Sequence, residues 1–203
     1  MPKFERIKFK PIPVRDLLLE LKNLSELMVD LAYSAALFND AELAEDVLAL
    51  ENRIDTLEYL LEMEMMIAAQ GNPKDAETLI GVAKVAEATD KISDAAADIA
   101  AIVTRKIGVH PIVGAVFEKV EKRVSKILVQ KNSPLVDMQI EMLDLQAKAG
   151  IDIIAVRRNK TWIIDPKKWG HLMAGDILII RGPSSRIKDF KVMAEGRNGG
   201  TLV

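Results

Sequence analysis

Residues 82–99 read VAKVAEATDKISDAAADI, and this stretch decides the fold. Val82, Val85, Thr89, Ile92, Ala96, Ile99 and Val103 recur in alternating steps of three and four, which predicts a helix packed into a bundle along that stripe. Well away from the stripe, Asp90, Asp94 and Asp98 follow one another at i, i+4 and i+8, so their carboxylates stack along the helix. Like charges in that register destabilise a helix by about 0.2–0.5 kcal/mol per pair. Solvent, a cation or a partner is then expected to compensate them.

Upstream, the same alternation repeats twice. A helix starting near Val14 carries Leu17, Leu21, Leu24, Met28, Leu31, Ala35 and Phe38 on one seam, and Asn39-Asp40 ends it. A second helix, from about Ala41 to Gln70, has the seam Leu43, Val47, Leu50, Ile54, Leu57 and Leu61. Gly71-Asn72-Pro73 breaks it, and the third helix runs from Pro73–Asp75 to about Lys106. Long helices with short turns and matching seams predict an antiparallel three-helix bundle over residues 14–107. Residues 1–13, with Pro2, Pro11 and Pro13, read as an extended arm.

Downstream the period changes. Gly108, His110-Pro111 and Gly114 mark a linker over 108–123, with a short helix around Val116–Arg123. Ser125–Gln130, Ile151–Val156, Thr161–Ile164 and Ile177–Ile180 are short β-branched runs expected to be strands. Arg157-Arg158-Asn159-Lys160 separates two of them as a hairpin turn. Ser133-Pro134 opens a helix to about Ala149 closed by Gly150, Pro183-Ser184-Ser185 opens another to about Ala194, and Gly199-Gly200 sits in a loose tail. The fold class is therefore multidomain, α then α+β, the second unit covering 124–203. So small a unit has a thin core and gains by pairing with a copy of itself.

Composition removes several functions. The 203 residues are 49% hydrophobic and 29% charged, with a net charge of −2, which recruits neither nucleic acid nor an anionic membrane. Without cysteine there are no disulfides, thiolate metal sites or cysteine nucleophiles. His110 and His171 are far apart, which disfavours a histidine zinc centre or general base. The opening MPKFERIKFKPIPV is no secretory signal, and no apolar run approaches the ~18–20 residues of a membrane span. A cytoplasmic protein is expected, attached at most peripherally to a membrane transporter.

Two resemblances sharpen this. Glu42-Leu43-Ala44-Glu45-Asp46-Val47 leads into Leu50-Glu51-Asn52-Arg53-Ile54-Asp55-Thr56-Leu57-Glu58, and Asp90-Lys91-Ile92-Ser93-Asp94 is followed by Asp98-Ile99-Ala100. Over about residues 14–106 this resembles the PhoU-like family, which places a (Glu/Asp)-x-x-x-Asp motif on each of two bundle helices, here Glu51…Asp55 and Asp90…Asp94. In some members such carboxylates hold a multinuclear metal cluster. The resemblance implies Glu51, Asp55, Asp90 and Asp94 as ligands for a divalent ion (iron, zinc, manganese or magnesium). The founding type has two bundles in tandem and this chain has one, and the second motif opens with Asp where Glu is usual.

From about residue 120, Asn132-Ser133-Pro134-Leu135, Gly150-Ile151-Asp152-Ile153-Ile154-Ala155-Val156-Arg157-Arg158, Asp165-Pro166 and Leu172-Met173-Ala174-Gly175-Asp176-Ile177-Leu178 resemble the TrkA C-terminal, or RCK_C, module of potassium channels and transporters. Such modules dimerise, bind small regulatory ligands or ions, and pass that state to a channel or transporter. The companion nucleotide-binding motif Gly-x-Gly-x-x-Gly is absent, so no nicotinamide cofactor is expected.

The residues themselves leave choices open. The acidic strips on the second and third helices suit hard divalent cations, or are a solvated face. Ala83, Ala86, Ala97 and Ala101 beside Asp90 and Asp94 are expected to keep that face open. Arg157, Arg158 and Lys160 either hold an anionic ligand or form a solvated hairpin tip. Trp162 and Trp169 read as core or interface residues, and Met63, Met65 and Met66 as plastic packing. No nucleophile or oxyanion motif accompanies the carboxylates, so no enzyme is expected. The expectation is a non-enzymatic regulatory subunit of cation transport, most simply potassium transport. It would act as a homodimer or higher homo-oligomer, with a membrane channel or transporter and a small ligand as partners and no nucleic acid. The alternatives are a phosphate-signalling or metal-binding protein using the acidic face, and a structural dimeric adaptor.

Overall fold

The computed structural model describes residues 11–70, 73–107, 123–159 and 161–197. Most of the expected N-terminal arm, residues 116–122 of the short helix expected at Val116–Arg123, Lys160 and the C-terminal tail lie outside the described residues, and Arg123 opens a strand instead. The chain folds as α1 (Val14–Phe38), α2 (Ala41–Ala69) and α3 (Pro73–Thr104), then β1 (Arg123–Leu128), α4 (Ile140–Leu143), α5 (Leu145–Ala149), β2 (Asp152–Arg158), β3 (Thr161–Ile164), β4 (Ile177–Gly182) and α6 (Ser184–Ala194). It is a three-helix bundle followed by a small four-stranded antiparallel sheet with helices.

Each helix of the bundle packs on the other two. Asn39 ends α1 in the left-handed region at φ 50°, a conformation Asn tolerates. Asp40 then caps α2, its carboxylate accepting hydrogen bonds from the backbone N–H of Glu42 (3.1 Å) and Leu43 (3.2 Å). So short a joint forces α1 and α2 to lie side by side and antiparallel. The α1 seam from Leu17 to Ala35 and the whole expected α2 seam are buried. Phe38 is the exception; its ring lies half exposed under the Arg123 guanidinium, 4.0 Å from the centroid.

The third seam differs from the expected one. Val85 and Ile92 are 52% and 47% exposed, and the buried line is Ala86, Thr89, Ser93, Ala96, Ala100 and Val103, with Ala97 beside it. The reason is volume. Two seams of Leu, Met, Val and Ile fill the interior, and a third helix approaches closely only through small side chains. The two buried hydroxyls need no outside partner, since Thr89 Oγ1 donates to Val85 O (2.9 Å) and Ser93 Oγ to Asp90 O (2.7 Å).

The sheet order is β1-β4-β2-β3, all antiparallel. Strand alternation divides its side chains between two cores. Ile127, Val156, Leu178 and Ile180 face the module's own helices and loops, among them Leu135, Leu172, Ile187 and Phe190. Val124, Ala155 and Ile179, with Ile154, Trp162 and Ile164, join the core of the helical bundle. A register shift between Ile153 and Ala155 lets β2 serve both. The sheet is therefore a wall shared by the two units, with the bundle covering the face that a free-standing module would leave thinly protected.

The helix expected from Ser133 to Ala149 is broken. Asp137 and Asp144 take left-handed backbone angles, φ 64° and 45°, which an α-helix cannot contain. Residues around Met138 pair instead with the segment near Leu172, through Asp137 N–H to Leu172 O (2.8 Å) and Leu172 N–H to Met138 O (3.0 Å). Only the short α4 and α5 survive. A β2–β3 hairpin forms, but Arg157 and Arg158, expected in its turn, extend β2, with Arg158 opposite Thr161 and Asn159 left-handed at φ 57°.

Candidate functional site

The antiparallel course of α2 and α3 brings the expected acidic residues into one field. Burial first, then the charges of Asp55, Asp94, Asp98 and Asp90, push the Glu51 carboxyl above its ordinary value. Burial and Asp94 do the same to Asp55. Glu58 lies deepest in this field. Burial, the Asp90 charge and a hydrogen bond to Asp90 raise it to about 7; Asp90 is raised as well, by burial and then by Asp94, with that same hydrogen bond pulling the other way. Their hydrogen bond thus favours a protonated Glu58 donating to an ionised Asp90. Among the described residues, no three or more His, Cys, Asp or Glu side chains are placed to hold a metal ion. The alanines expected to keep this face open divide, since Ala86 and Ala97 are buried in the bundle.

The basic cluster is parted by strand geometry. Arg157 and Arg158 are neighbours on β2, so they point to opposite faces of the sheet. Arg157 faces the bundle, where its Nη1 donates to Asp46 Oδ1. Lys126 Nζ, from β1, lies 2.8 Å from the other oxygen of the same carboxylate. Asp46 is thereby buried at the junction between two cations of the sheet, which offsets the cost of removing its charge from water. Arg158 points outward. Its Nε and Nη2 grip Asp176 in a two-pronged contact at 2.8 and 2.7 Å, and Nη2 also donates to His171 O. Asp176, 1% exposed, accepts in addition from Met173 N–H (2.8 Å).

A cavity opens beside each arginine. One, of about 620 Å³, lies between α1, α2 and the β2–β3 hairpin, lined by Glu20, Arg53, Arg157, Thr161, Trp162 and Ile164 among others. The Arg157 guanidinium stands 5.4 Å over the Trp162 ring there, and Arg53 is paired with Glu20 at 2.8 Å. The other, of about 470 Å³, lies on the outer side and is mostly apolar, lined by Ile140, Val156, Arg158, Ile163, Leu172 and Met173 with Trp169 at its rim. Trp162 is half buried in the bundle-facing core, while Trp169 is 65% exposed with Lys167 Nζ 5.2 Å over its ring.

Reading the residues gave Asp46 no part in the site. Its signal was present, since it directly precedes the seam residue Val47 on α2, where a charge is buried only if it is paired. Its partners, on strands more than seventy residues away, were not visible from that position.

Comparison with known proteins identifies both halves. Residues 18–103 match the PhoU domain, and residues 124–193 match the TrkA-C domain. No curated protein matches the chain. Among solved structures, the RCK_C domain dimer of S. agalactiae BusR in complex with c-di-AMP is 20% identical with a TM-score of 0.34, over 36% of this chain and 97% of that one. The RCK C domain of the potassium transport protein KtrA, also in complex with c-di-AMP, is 28% identical with a TM-score of 0.33, over 40% and 93%. S. agalactiae BusR bound to its busAB-promotor DNA is 14% identical with a TM-score of 0.34, over 88% and 97%.

Proposed function

From the premise of a PhoU domain joined to a TrkA-C domain, we propose that the chain is a non-enzymatic regulatory subunit of cation transport, potassium in the first instance. It acts in the cytoplasm against a membrane channel or transporter. The TrkA-C half pairs with a second copy and takes a small anionic ligand, and the PhoU half reads its state. One observation supports this above the others: adjacent residues of β2 reach the outer cavity and the bundle, Arg158 on one side and Arg157 on the other. A ligand that draws on Arg158 in the outer cavity shifts β2, and the shift reaches α2 through Arg157 and Asp46. Lys160, two residues on in the sequence, carries the third positive charge of the expected cluster. The ligand thus favours one arrangement of the two halves, and the membrane partner distinguishes the arrangements.

The test is a titration with c-di-AMP as first probe, followed by the fluorescence of Trp162 and Trp169 and by hydrogen exchange. The expected result is a saturable fluorescence change with altered exchange at residues 41–50 of α2. Saturable binding without any change at α2 refutes the coupling, and no response to c-di-AMP or to a panel of nucleotides and monovalent cations refutes the ligand role. A gel-shift experiment is expected to find no DNA binding by a chain of net charge −2.

A second reading places a divalent cation on Glu51, Asp55, Asp90 and Asp94, which would have to draw together around it, since they do not form a ligand group in this structure. The mutual crowding of these carboxylates supports it, since a bound cation would relieve their repulsion. Stoichiometric iron, zinc or manganese after purification without chelator, abolished by Asp90→Asn with Asp94→Asn, is the result this reading requires.

A further inference from the structure

Besides its buried line, α3 carries a second one. Val85, Ala88, Ile92, Ala95, Ile99 and Ile102 alternate in steps of three and four, the a and d positions of a heptad. Val85, Ala88, Ile92 and Ala95 are exposed, while Ile99 and Ile102 are half-buried, Ile99 against the bundle core, so the described chain leaves most of this line uncovered. An exposed helix face normally carries charged residues, and this one is apolar over about 26 Å of helix.

We propose that this line is an interface between two copies of the chain, α3 lying antiparallel on α3 about a two-fold axis between Ser93 and Asp94. The argument for a second copy is self-complementarity. In that register Ile92 meets Ala95 of the other copy, Ile99 meets Ala88, and Val85 meets Ile102. In the inner layers every large side chain faces a small one, which lets the helices approach and interlock as knobs into holes. On the flank, Lys91 comes opposite Asp98 of the other copy, and symmetry makes the pair twice. The outer pair, Lys84 against Arg105, is like-charged, but Glu87 stands 2.7 Å from Lys84 and offsets it. The other flank is occupied by Thr89, Ala96 and Val103, which belong to the bundle interior, so the stripe meets its partner from one side only. This pairing is separate from the one proposed for the sheet modules.

The chain's lack of cysteine makes the test direct. The double variant Ala88→Cys with Ile99→Cys should oxidise to a covalent dimer. Ala88→Cys alone should not, because in the antiparallel register the two copies of residue 88 lie about 16 Å apart along the axis. Separately, Ile92→Lys should lower the molar mass measured by light scattering at about 100 µM, to that of one chain, or of two chains where the sheet modules also pair. Circular dichroism of Ile92→Lys should be unchanged, since the site is on the surface. Cross-linking by Ala88→Cys alone overturns the antiparallel register. An unchanged mass for Ile92→Lys, together with no cross-link in the double variant, overturns the interface; an N-terminal arm or a different protein covering this line would produce that result.

Discussion

The two faces of the sheet are built on different plans. The outer face is closed by aliphatic side chains and Phe190, and its one buried charge, Asp176, is held by both prongs of Arg158 within the same module. The face toward the bundle has fewer apolar residues in its centre and sends Lys126, Arg157 and Arg181 across the junction to Asp46 and Asp30. It also leaves space, with the cavity of about 620 Å³ beside Arg157 and another of about 330 Å³ beside Arg181. Close packing around a satisfied charge pair specifies one geometry, whereas ionic contacts bordering open volume allow neighbouring geometries at small cost. The outer face holds the module together, and the inner face sets how it is carried on the bundle.

Substitutions can break this contrast. The largest effect is expected for Arg158→Ala, which strands Asp176 in an apolar core and should cost about 3–5 kcal/mol in urea unfolding. If the loss is under 1 kcal/mol, the outer pair is not what secures the module. Arg157→Met is expected to be milder, about 1–3 kcal/mol, because Lys126 continues to neutralise Asp46. Its signature should be faster hydrogen exchange on α2 near Asp46, with the outer core still protected. Equal exchange throughout the chain would make the two faces alike.

A pH titration examines the bundle away from the sheet. Because Glu58 is raised in the fold to about 7 from an ordinary 4.5, the folded chain holds more protons than the unfolded one between those values. Its contribution to stability is therefore complete below about pH 4.5 and is lost as pH rises to about 7. Glu58→Gln keeps a donor for Asp90 and removes the titration. Its stability relative to the parent chain should rise between pH 5 and pH 8, and a constant difference would mean that Glu58 titrates normally. The smallest effect is expected at Gly81, inside α3, where an added Cβ meets no atom within 4 Å. Gly81→Ala should raise stability by about 0.5–1 kcal/mol, read as a higher urea midpoint with unchanged slope.

How far the chain could be read from its residues depended on side-chain size. The α2 seam was legible in full because Leu, Ile or Val at every position has only one place to go. On α3 the larger residues misled, since Val85 and Ile92 drew the seam to a face that the bundle does not use. The small residues Ala86, Ser93 and Ala100 carry little hydropathy signal, yet they are the ones that fit between two full seams. The acidic field was legible in part, since each four-residue motif puts its carboxylates along one side of its helix, but Glu58, its most strongly raised carboxyl, stood outside both motifs. That Glu58 is raised to about 7 depended on the packing of α2 against α3. The basic cluster was legible in composition only. Adjacency in sequence suggested joint action by Arg157 and Arg158, and the pleat of a strand turned them apart.

The shared wall has a practical corollary for anyone who would cut the chain at residues 108–122. A fragment starting at β1 would present Val124, Ala155, Trp162, Ile164 and Ile179 to water as a single greasy plane studded with orphaned cations. Such a piece would stick to itself and to vessel walls, and solubilising it would call for grafting a substitute lid or repainting that plane with polar residues.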